Sequence, residues 1–163
     1  ELTITVDGNA KGEIKIDLFE DIAPLHVTQI LKLAEQGHYN DVVFHRVMDG
    51  FMAQTGDVEY GKAGNDISLA GRGGSKLPNI PAEFSDIDFD RGIVGMARTR
   101  NPDSANSQFF IMFEAGYFLN GQYTVVGKVT SGMEVVDKIK RGEGSNGAVL
   151  GKPDKMVSIV TSR

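Results

Sequence analysis

Two strand-like runs, VFHRV (Val43–Val47) and FMAQT (Phe51–Thr55), place an arginine and a glutamine among large apolar side chains. Both have the length and apolar content of short buried strands. Other runs with the alternation or composition of strands are Leu2–Asp7, Glu13–Leu18, Ile93–Ala97, Gln108–Phe113, Val125–Thr130 and Met156–Thr161. The first two of these flank a turn-forming Asp-Gly-Asn cluster, which predicts a hairpin. The chain is therefore predicted to contain about eight strands.

Helical periodicity is confined to two segments. Pro24 and an apolar face that includes Val27 and Ile30 predict a helix that stops at Gly37. A second, shorter helix is predicted over Met133–Lys140. Many strands with few helices favour a mainly β barrel or sandwich, and we prefer a closed barrel whose ends are covered by the two helices. Residues 59–90 are predicted to form a long, glycine- and proline-punctuated loop.

The composition excludes several classes of protein. The chain has 163 residues, which predicts a single domain over 1–163. It has no cysteine, which excludes a disulfide scaffold, a thiolate zinc site and a cysteine nucleophile. A net charge of −5 without a basic cluster disfavours nucleic-acid binding. No apolar run approaches the roughly 20 residues of a membrane-spanning helix, so no membrane association is predicted.

Metal binding is not predicted. The histidines His26, His38 and His45 do not have the spacing of zinc ligands. His26 lies next to an inward-facing valine of the predicted helix and is interpreted as a surface or cap residue. The acidic residues Asp86, Asp88 and Asp90 imitate the start of a calcium loop, but Arg91 stands where that loop needs glycine.

Two further chemistries have weak support. The Gly71–Gly74 stretch lacks the Lys-Ser/Thr ending and the following helix of a phosphate-binding loop. There is no Gly-x-Ser-x-Gly motif, although a hydrolytic triad assembled in space stays open from the residues alone.

The segment Val43–Thr55 has two interpretations. Arg46 is predicted to share a strand face with Phe44, and Gln54 to share one with Met52. Arg46 could extend outward with Gln54 simply exposed. Alternatively, Gln54 could hold Arg46 rigidly beside an apolar pocket, to which the aromatic segment Gln108–Phe110 would contribute.

The same segments carry a resemblance to a known family. Phe44–Gln54, followed by Gly56 and Asp57, resembles the signature of the cyclophilin family of peptidyl-prolyl cis-trans isomerases. Met96–Thr99 with Ser107–Ile111 looks like that family's other signature in its bacterial form. The hairpin, the first helix and the end of the chain fit in order, so the resemblance covers essentially the whole chain.

The resemblance implies a fold and a site. The implied fold is a closed eight-stranded antiparallel β-barrel capped by two α-helices. Arg46 corresponds to the catalytic arginine and Gln54 to the residue that orients it. The implied substrate-binding residues are Phe51, Met52, Ala97, Arg98, Gln108, Phe110, Phe118, Leu119 and Tyr123. Of these, the proline ring is expected to contact Phe51, Met52, Phe110 and Leu119, the peptide backbone the segment Ala97-Arg98, and Gln108 is expected to add a polar contact.

Three positions depart from the eukaryotic pattern of the family. Phe118 stands where many eukaryotic members have a tryptophan that contributes to cyclosporin binding, so weak cyclosporin binding is expected. Tyr123 replaces a histidine and Arg98 replaces an asparagine. All three substitutions lean toward a bacterial member. Residues 58–81 match the family least, and no function is assigned to them.

The expected function is isomerisation of Xaa-Pro bonds in unfolded or flexible protein segments, which assists folding and needs no cofactor or metal. The alternative is a module that binds proline-containing peptides with incidental turnover; the pair Arg46 and Gln54 favours the enzyme. Transport of a small ligand inside the barrel is disfavoured because large apolar side chains would fill it. The sequence predicts a monomer in the cytoplasm, or in the periplasm if a signal peptide has been removed.

Overall fold

The computed structural model describes residues 1–162, which form one antiparallel sheet with short helices. The strands are β1 (Leu2–Asp7), β2 (Gly12–Leu18), β3 (Val42–Val43), β4 (Arg46–Met48), β5 (Met52–Thr55), β6 (Ile93–Met96), β7 (Phe109–Met112), β8 (Val125–Ser131) and β9 (Lys155–Thr161). The helices are α1 (Pro24–Glu35) and α2 (Met133–Val136), with 3₁₀ turns at Tyr117–Leu119 and Ser145–Gly147. A mainly β fold with two α-helices is thus confirmed.

The sheet differs from the predicted closed barrel of eight strands. In the part of the chain that the structure describes, it has nine strands in the order β3-β9-β1-β2-β8-β6-β7-β5-β4. Within residues 1–162, no ladder joins its end strands, β3 and β4. The predicted strand Val43–Val47 is interrupted at Phe44 and His45, so its two halves form opposite ends of a curled sheet. Two residues of chain, rather than hydrogen bonds, connect these ends.

Alternate residues of the central strands face two separate cores. Phe109 and Ile111 of β7 belong to the main core inside the curled sheet. Phe110 and Met112 belong to a smaller cluster that also contains Phe89. Successive side chains of a strand point to opposite faces, so the small cluster lies on the outer face of the sheet. This outer cluster forms the floor of the site described below.

The helices follow the predicted positions with one difference in length. Pro24 occupies the first turn of α1. The second helix is shorter than the predicted span of Met133–Lys140. Its continuation tightens, because the N–H groups of Lys138 and Ile139 donate to carbonyls three residues earlier rather than four. No helix within the described part of the chain is long and apolar enough to cross a membrane.

The prediction that His26 is a surface or cap residue is wrong. His26 is fully buried, and its Nδ1 lies 2.5 Å from Glu83 Oε1. The same carboxylate accepts the N–H groups of Leu25 and His26, so a distant loop caps α1. The periodicity of the helix could not reveal this loop, because residues 26 and 83 are far apart in the sequence.

Candidate functional site

Strand register places the key side chains in one row across the outer face of the sheet. Arg46 pairs with Gln54, Gln54 with Phe110, and Phe110 with Gly95. Directly opposed residues present their side chains on the same face. Gly95 leaves room for the aromatic ring, since a Cβ there would lie 2.6 Å from Phe110 Cζ and 2.7 Å from Phe89 Cε1. The row therefore begins with the cation of Arg46, continues with the amide of Gln54 and ends with the apolar ring of Phe110 above Gly95.

Arg46 is half-buried at the end of this row and is held at several atoms. Its Nη1 donates to Gln54 Oε1 at 3.1 Å. Its Nε donates to the carbonyl of Asn146 at 2.9 Å, and its Nη2 to Asn146 Oδ1 at 3.2 Å. Burial lowers the pKa of Arg46, although a guanidinium stays protonated at neutral pH. The site thus contains a cation of fixed orientation.

The predicted shared face of Arg46 and Phe44 is wrong. Phe44 lies in the main core, whereas Arg46 lies on the outer face. The cause is the interruption of the strand at Phe44 and His45, where the alternation of a regular strand does not hold.

Gln54 is held by a second amide and is not simply exposed. Its side chain is 9% exposed, and Nε2 donates to Gln108 Oε1 at 2.9 Å. Gln108 Nε2 in turn donates to the carbonyl of Gly73 at 2.9 Å. An amide has one acceptor oxygen and one donor nitrogen, so each of these bonds fixes which way the next amide faces. We call the hydrogen-bonded amides of Gln54 and Gln108 the relay. The relay turns Gln54 Oε1 toward Arg46.

Asp57 anchors the far end of the relay. Its side chain is fully buried, and Oδ1 accepts the N–H groups of Glu59 and Tyr60 at 3.0 and 2.9 Å. Oδ2 accepts those of Gly71 and Gly73 at 2.8 and 2.9 Å. A Cβ at Gly73 would collide with this carboxylate, so the close approach requires glycine. Asp57 therefore fixes the carbonyl that Gln108 uses.

A cavity of about 250 Å³ opens beside Arg46. Its lining contains every predicted site residue except Gln108, namely Arg46, Phe51, Met52, Gln54, Ala97, Arg98, Phe110, Phe118, Leu119 and Tyr123. Phe51 and Phe118 pack with ring centroids 5.4 Å apart, and Tyr123 meets Phe110 edge-on at 6.0 Å. The cavity combines apolar walls with a fixed cation at one side.

Gln108 lies in the neighbouring cavity, which has a volume of about 340 Å³ and also contacts Gln54, Ala97 and Arg98. Gln108 is 8% exposed, and both ends of its amide are engaged by Gln54 and Gly73. The structure thus places it behind Gln54 as part of the relay.

Arg98 lines the cavity, and its guanidinium is engaged by neighbouring residues. Its guanidinium lies 4.4 Å from the centroid of the Tyr123 ring. It also donates from Nε and Nη2 to the carbonyl of Gln122, at 3.1 and 2.6 Å. These contacts pack the Arg98 guanidinium on the Tyr123 ring and engage it with a backbone carbonyl.

His45 adds no charge to the site at neutral pH. Burial lowers its pKa to about 4, and neither ring nitrogen has a hydrogen-bond partner within residues 1–162. The described residues also contain no group of three or more His, Cys, Asp or Glu side chains placed to hold a metal ion.

Sequence reasoning missed three contributors, Asp57, Gly73 and Asn146. In the sequence, Asp57 stands out only as part of the Gly56-Asp57 motif, and Gly73 only within the glycine-rich stretch Gly71–Gly74. Asn146 belongs to a Ser-Asn-Gly stretch, which by itself indicates only a turn. Each acts through a loop contact that leaves no periodic signal in the sequence.

Comparisons with known proteins find related sequences over most of the chain. The family model described as "Cyclophilin type peptidyl-prolyl cis-trans isomerase/CLD" matches residues 2–162. A "Probable peptidyl-prolyl cis-trans isomerase" of Brucella suis is 61% identical over 149 residues, covering 90% of this chain and 76% of the relative. "Peptidyl-prolyl cis-trans isomerase B" of Escherichia coli is 39% identical over 137 residues, covering 79% of each chain.

A solved structure extends the comparison to the fold. A cyclophilin type peptidyl-prolyl cis-trans isomerase of Cryptosporidium parvum, crystallised in the presence of the dipeptide Ala-Pro, superposes with a TM-score of 0.82 at 26% identity. The match covers 99% of this chain and 98% of the other.

Proposed function

The chain belongs to the cyclophilin family of peptidyl-prolyl cis-trans isomerases, and we propose that it isomerises Xaa-Pro bonds by binding the twisted amide beside Arg46, without a covalent step. The observation that carries this mechanism is the Arg46 guanidinium, fixed 3.1 Å from Gln54 at the edge of an apolar cavity.

The chemistry needs differential binding rather than a nucleophile. Rotation about a peptide bond has a barrier of about 18–20 kcal/mol, because the nitrogen shares its lone pair with the carbonyl. In the twisted state the prolyl nitrogen recovers that lone pair and can accept a hydrogen bond. A guanidinium donates to it without proton transfer, so the transition state is bound more tightly than either planar isomer.

The surroundings of Arg46 support this assignment. The donor is oriented before substrate arrives, because Gln54 and Asn146 hold it, and a preorganised donor costs no reorganisation during the reaction. The adjacent apolar walls formed by Phe51, Met52 and Phe110 suit a proline ring and exclude water. Exclusion of water strengthens the hydrogen bond to the prolyl nitrogen.

The substrates proposed are proline-containing segments of unfolded or flexible proteins. Support comes from the apolar side chains that line the cavity and from the Ala-Pro dipeptide present with the Cryptosporidium relative. A site that recognises a single proline ring does not select the residues that flank it, so proline segments of many proteins could bind.

NMR exchange spectroscopy on a short Xaa-Pro peptide tests the activity. Uncatalysed exchange takes tens to hundreds of seconds, and we expect catalytic amounts of the protein to shorten this time strongly. Adding the same concentration of a heat-denatured sample is the control. An unchanged exchange rate would contradict the proposal.

Weak cyclosporin binding is also proposed, because Phe118 has no indole N–H to donate. Its ring is 72% exposed at the cavity edge and packs on Phe51, so a larger ring has space there. We expect Phe118→Trp to tighten cyclosporin binding about tenfold, the equivalent of one hydrogen bond, with isomerase activity retained. Isothermal titration calorimetry measures this, and Phe118→Tyr is the aromatic control. Equal affinities for the wild type and the tryptophan variant would contradict the assignment of Phe118.

A further inference from the structure

Asn146 contacts the Arg46 guanidinium with two oxygens at once. Its carbonyl accepts from Nε at 2.9 Å and its Oδ1 accepts from Nη2 at 3.2 Å. The backbone of Asn146 has φ 57° and ψ 30°, the left-handed conformation. Asparagine adopts it more readily than other residues with a Cβ. The conformation lets one residue present its main-chain and side-chain oxygens to the same cation.

All the hydrogen-bond acceptors around Arg46 in the described residues are neutral. They are Gln54 Oε1, the two oxygens of Asn146 and Met48 Sδ, which lies 3.4 Å from Nη2. Within residues 1–162, no carboxylate lies within 4.0 Å of the Arg46 guanidinium nitrogens. The positive charge of Arg46 is therefore not shared with a fixed anion.

Two other arginines in the described residues have a carboxylate as a partner. Arg91 forms a two-pronged ion pair with Asp137, at 2.8 and 2.7 Å. Arg141 Nε donates to Asp49 Oδ1 at 3.0 Å. A carboxylate is the stronger acceptor for a guanidinium, because its hydrogen bonds are charge-assisted. Within the described residues, Arg98 also has only neutral partners, but they are backbone carbonyls, whereas Arg46 is held in addition by the side-chain amide oxygens of Gln54 and Asn146.

We infer that Asn146 is a positioning residue that orients Arg46 through neutral oxygens and so leaves the charge of Arg46 available to the twisted amide. This inference rests on the proposed mechanism. A carboxylate in the same place would hold Arg46 at least as firmly. It would also compete with the prolyl nitrogen for the same cation and weaken binding of the transition state. Full activity then requires the neutral amide of Asn146, and a side chain of the same shape that carries a charge does not replace it.

The test is Asn146→Asp, which keeps the size, the acceptor oxygen and the tolerance for positive φ and adds one negative charge. We expect kcat to fall roughly tenfold, because charge-assisted bonds to the new carboxylate weaken the hydrogen bond in the transition state. We expect peptide affinity to change little and Tm to stay equal or rise. NMR exchange at saturating peptide measures kcat, an NMR titration measures affinity, and calorimetry measures Tm.

Two matched variants separate the causes. Ser145→Asp places the same charge one residue earlier, on an exposed side chain that is not among the hydrogen-bond partners of Arg46 in residues 1–162, and we expect wild-type kcat. Asn146→Gly keeps the backbone conformation and the carbonyl but removes Oδ1. We expect a smaller loss of kcat for it than for Asn146→Asp, together with faster solvent exchange of the Arg46 Nη2 protons, which lose Oδ1 as an acceptor, while Nε keeps the carbonyl.

Failure of the inference about Asn146 can be distinguished from failure of the proposed mechanism. Wild-type kcat in Asn146→Asp overturns the inference, as does a loss of kcat that accompanies a lower Tm, which indicates a merely structural role. An equal loss of kcat in Ser145→Asp also overturns it, because the effect would then be a general field. An inactive wild type, or an active Arg46→Ala variant, contradicts the proposed mechanism instead.

Discussion

Replacement of Arg46 by alanine is expected to lower kcat/KM for an Xaa-Pro peptide by roughly 10²–10³-fold, the usual cost of removing a preorganised donor to the transition state. The fold should persist, because the side chain is half-buried at the edge of the site and lies outside both apolar cores. NMR exchange spectroscopy measures the rate, and circular dichroism and Tm verify the fold.

Two further substitutions test whether the effect of Arg46→Ala depends on the guanidinium group and on this particular arginine. Arg46→Lys keeps the charge, but an ammonium lacks the planar fork that reaches Gln54 and Asn146 together, so we expect most of the activity to be lost. Arg98→Ala removes an arginine of the same cavity whose guanidinium faces Gln122 and Tyr123, and we expect a loss below about tenfold. Full activity of Arg46→Ala would refute the mechanism and leave family membership intact.

Replacement of Asp57 by alanine is expected to have the largest effect on stability. Four backbone N–H groups, on Glu59, Tyr60, Gly71 and Gly73, lose their acceptor in a buried site. A buried N–H group left without an acceptor costs about 1–3 kcal/mol, so a loss of several kcal/mol is expected, and for a domain of this size each kcal/mol lowers Tm by about 2–4 °C. Urea unfolding and calorimetry measure the change.

Asp57→Asn and Asp66→Ala are the controls. The asparagine keeps one acceptor oxygen but places an NH₂ against other N–H groups, so an intermediate loss of stability is expected. Asp66 is exposed and accepts the N–H of the nearby Ser68, at 3.0 Å, so its removal should change stability by less than about 0.5 kcal/mol. If Asp57→Ala were as mild as Asp66→Ala, the anchoring role of Asp57 would be excluded.

Much of the fold was predictable because its signals are local. The alternation in Leu2–Asp7 predicted β1, and Pro24 with an apolar face predicted α1. The family was predictable because its two signatures are continuous in the sequence, and the match to residues 2–162 confirms it. The single domain and the roles of the individual site residues stay predictions; Arg163, at the end of the predicted domain, lies outside the described residues.

The closure of the sheet and the length of α2 were not predictable in the same way. The alternation of residues could not predict that Phe44 and His45 lie outside the strands, because both are residue types that also occur in strands. The burial of His26 depended on Glu83, which reaches α1 from a loop 57 residues away in sequence. Long-range contacts of this kind override the local pattern.

The sequence by itself determined which chemical groups are present: one arginine and one glutamine on neighbouring strands, aromatic residues for a pocket, and the motifs of a prolyl isomerase. Only the tertiary structure decided how Arg46 is held. Asp57, Gly73 and Gln108 fix Gln54 through loop and strand contacts, and Asn146 reaches Arg46 across 100 residues of chain. The physical reason is that a hydrogen bond depends on distance and direction in space, which residue order constrains only within a single helix or strand.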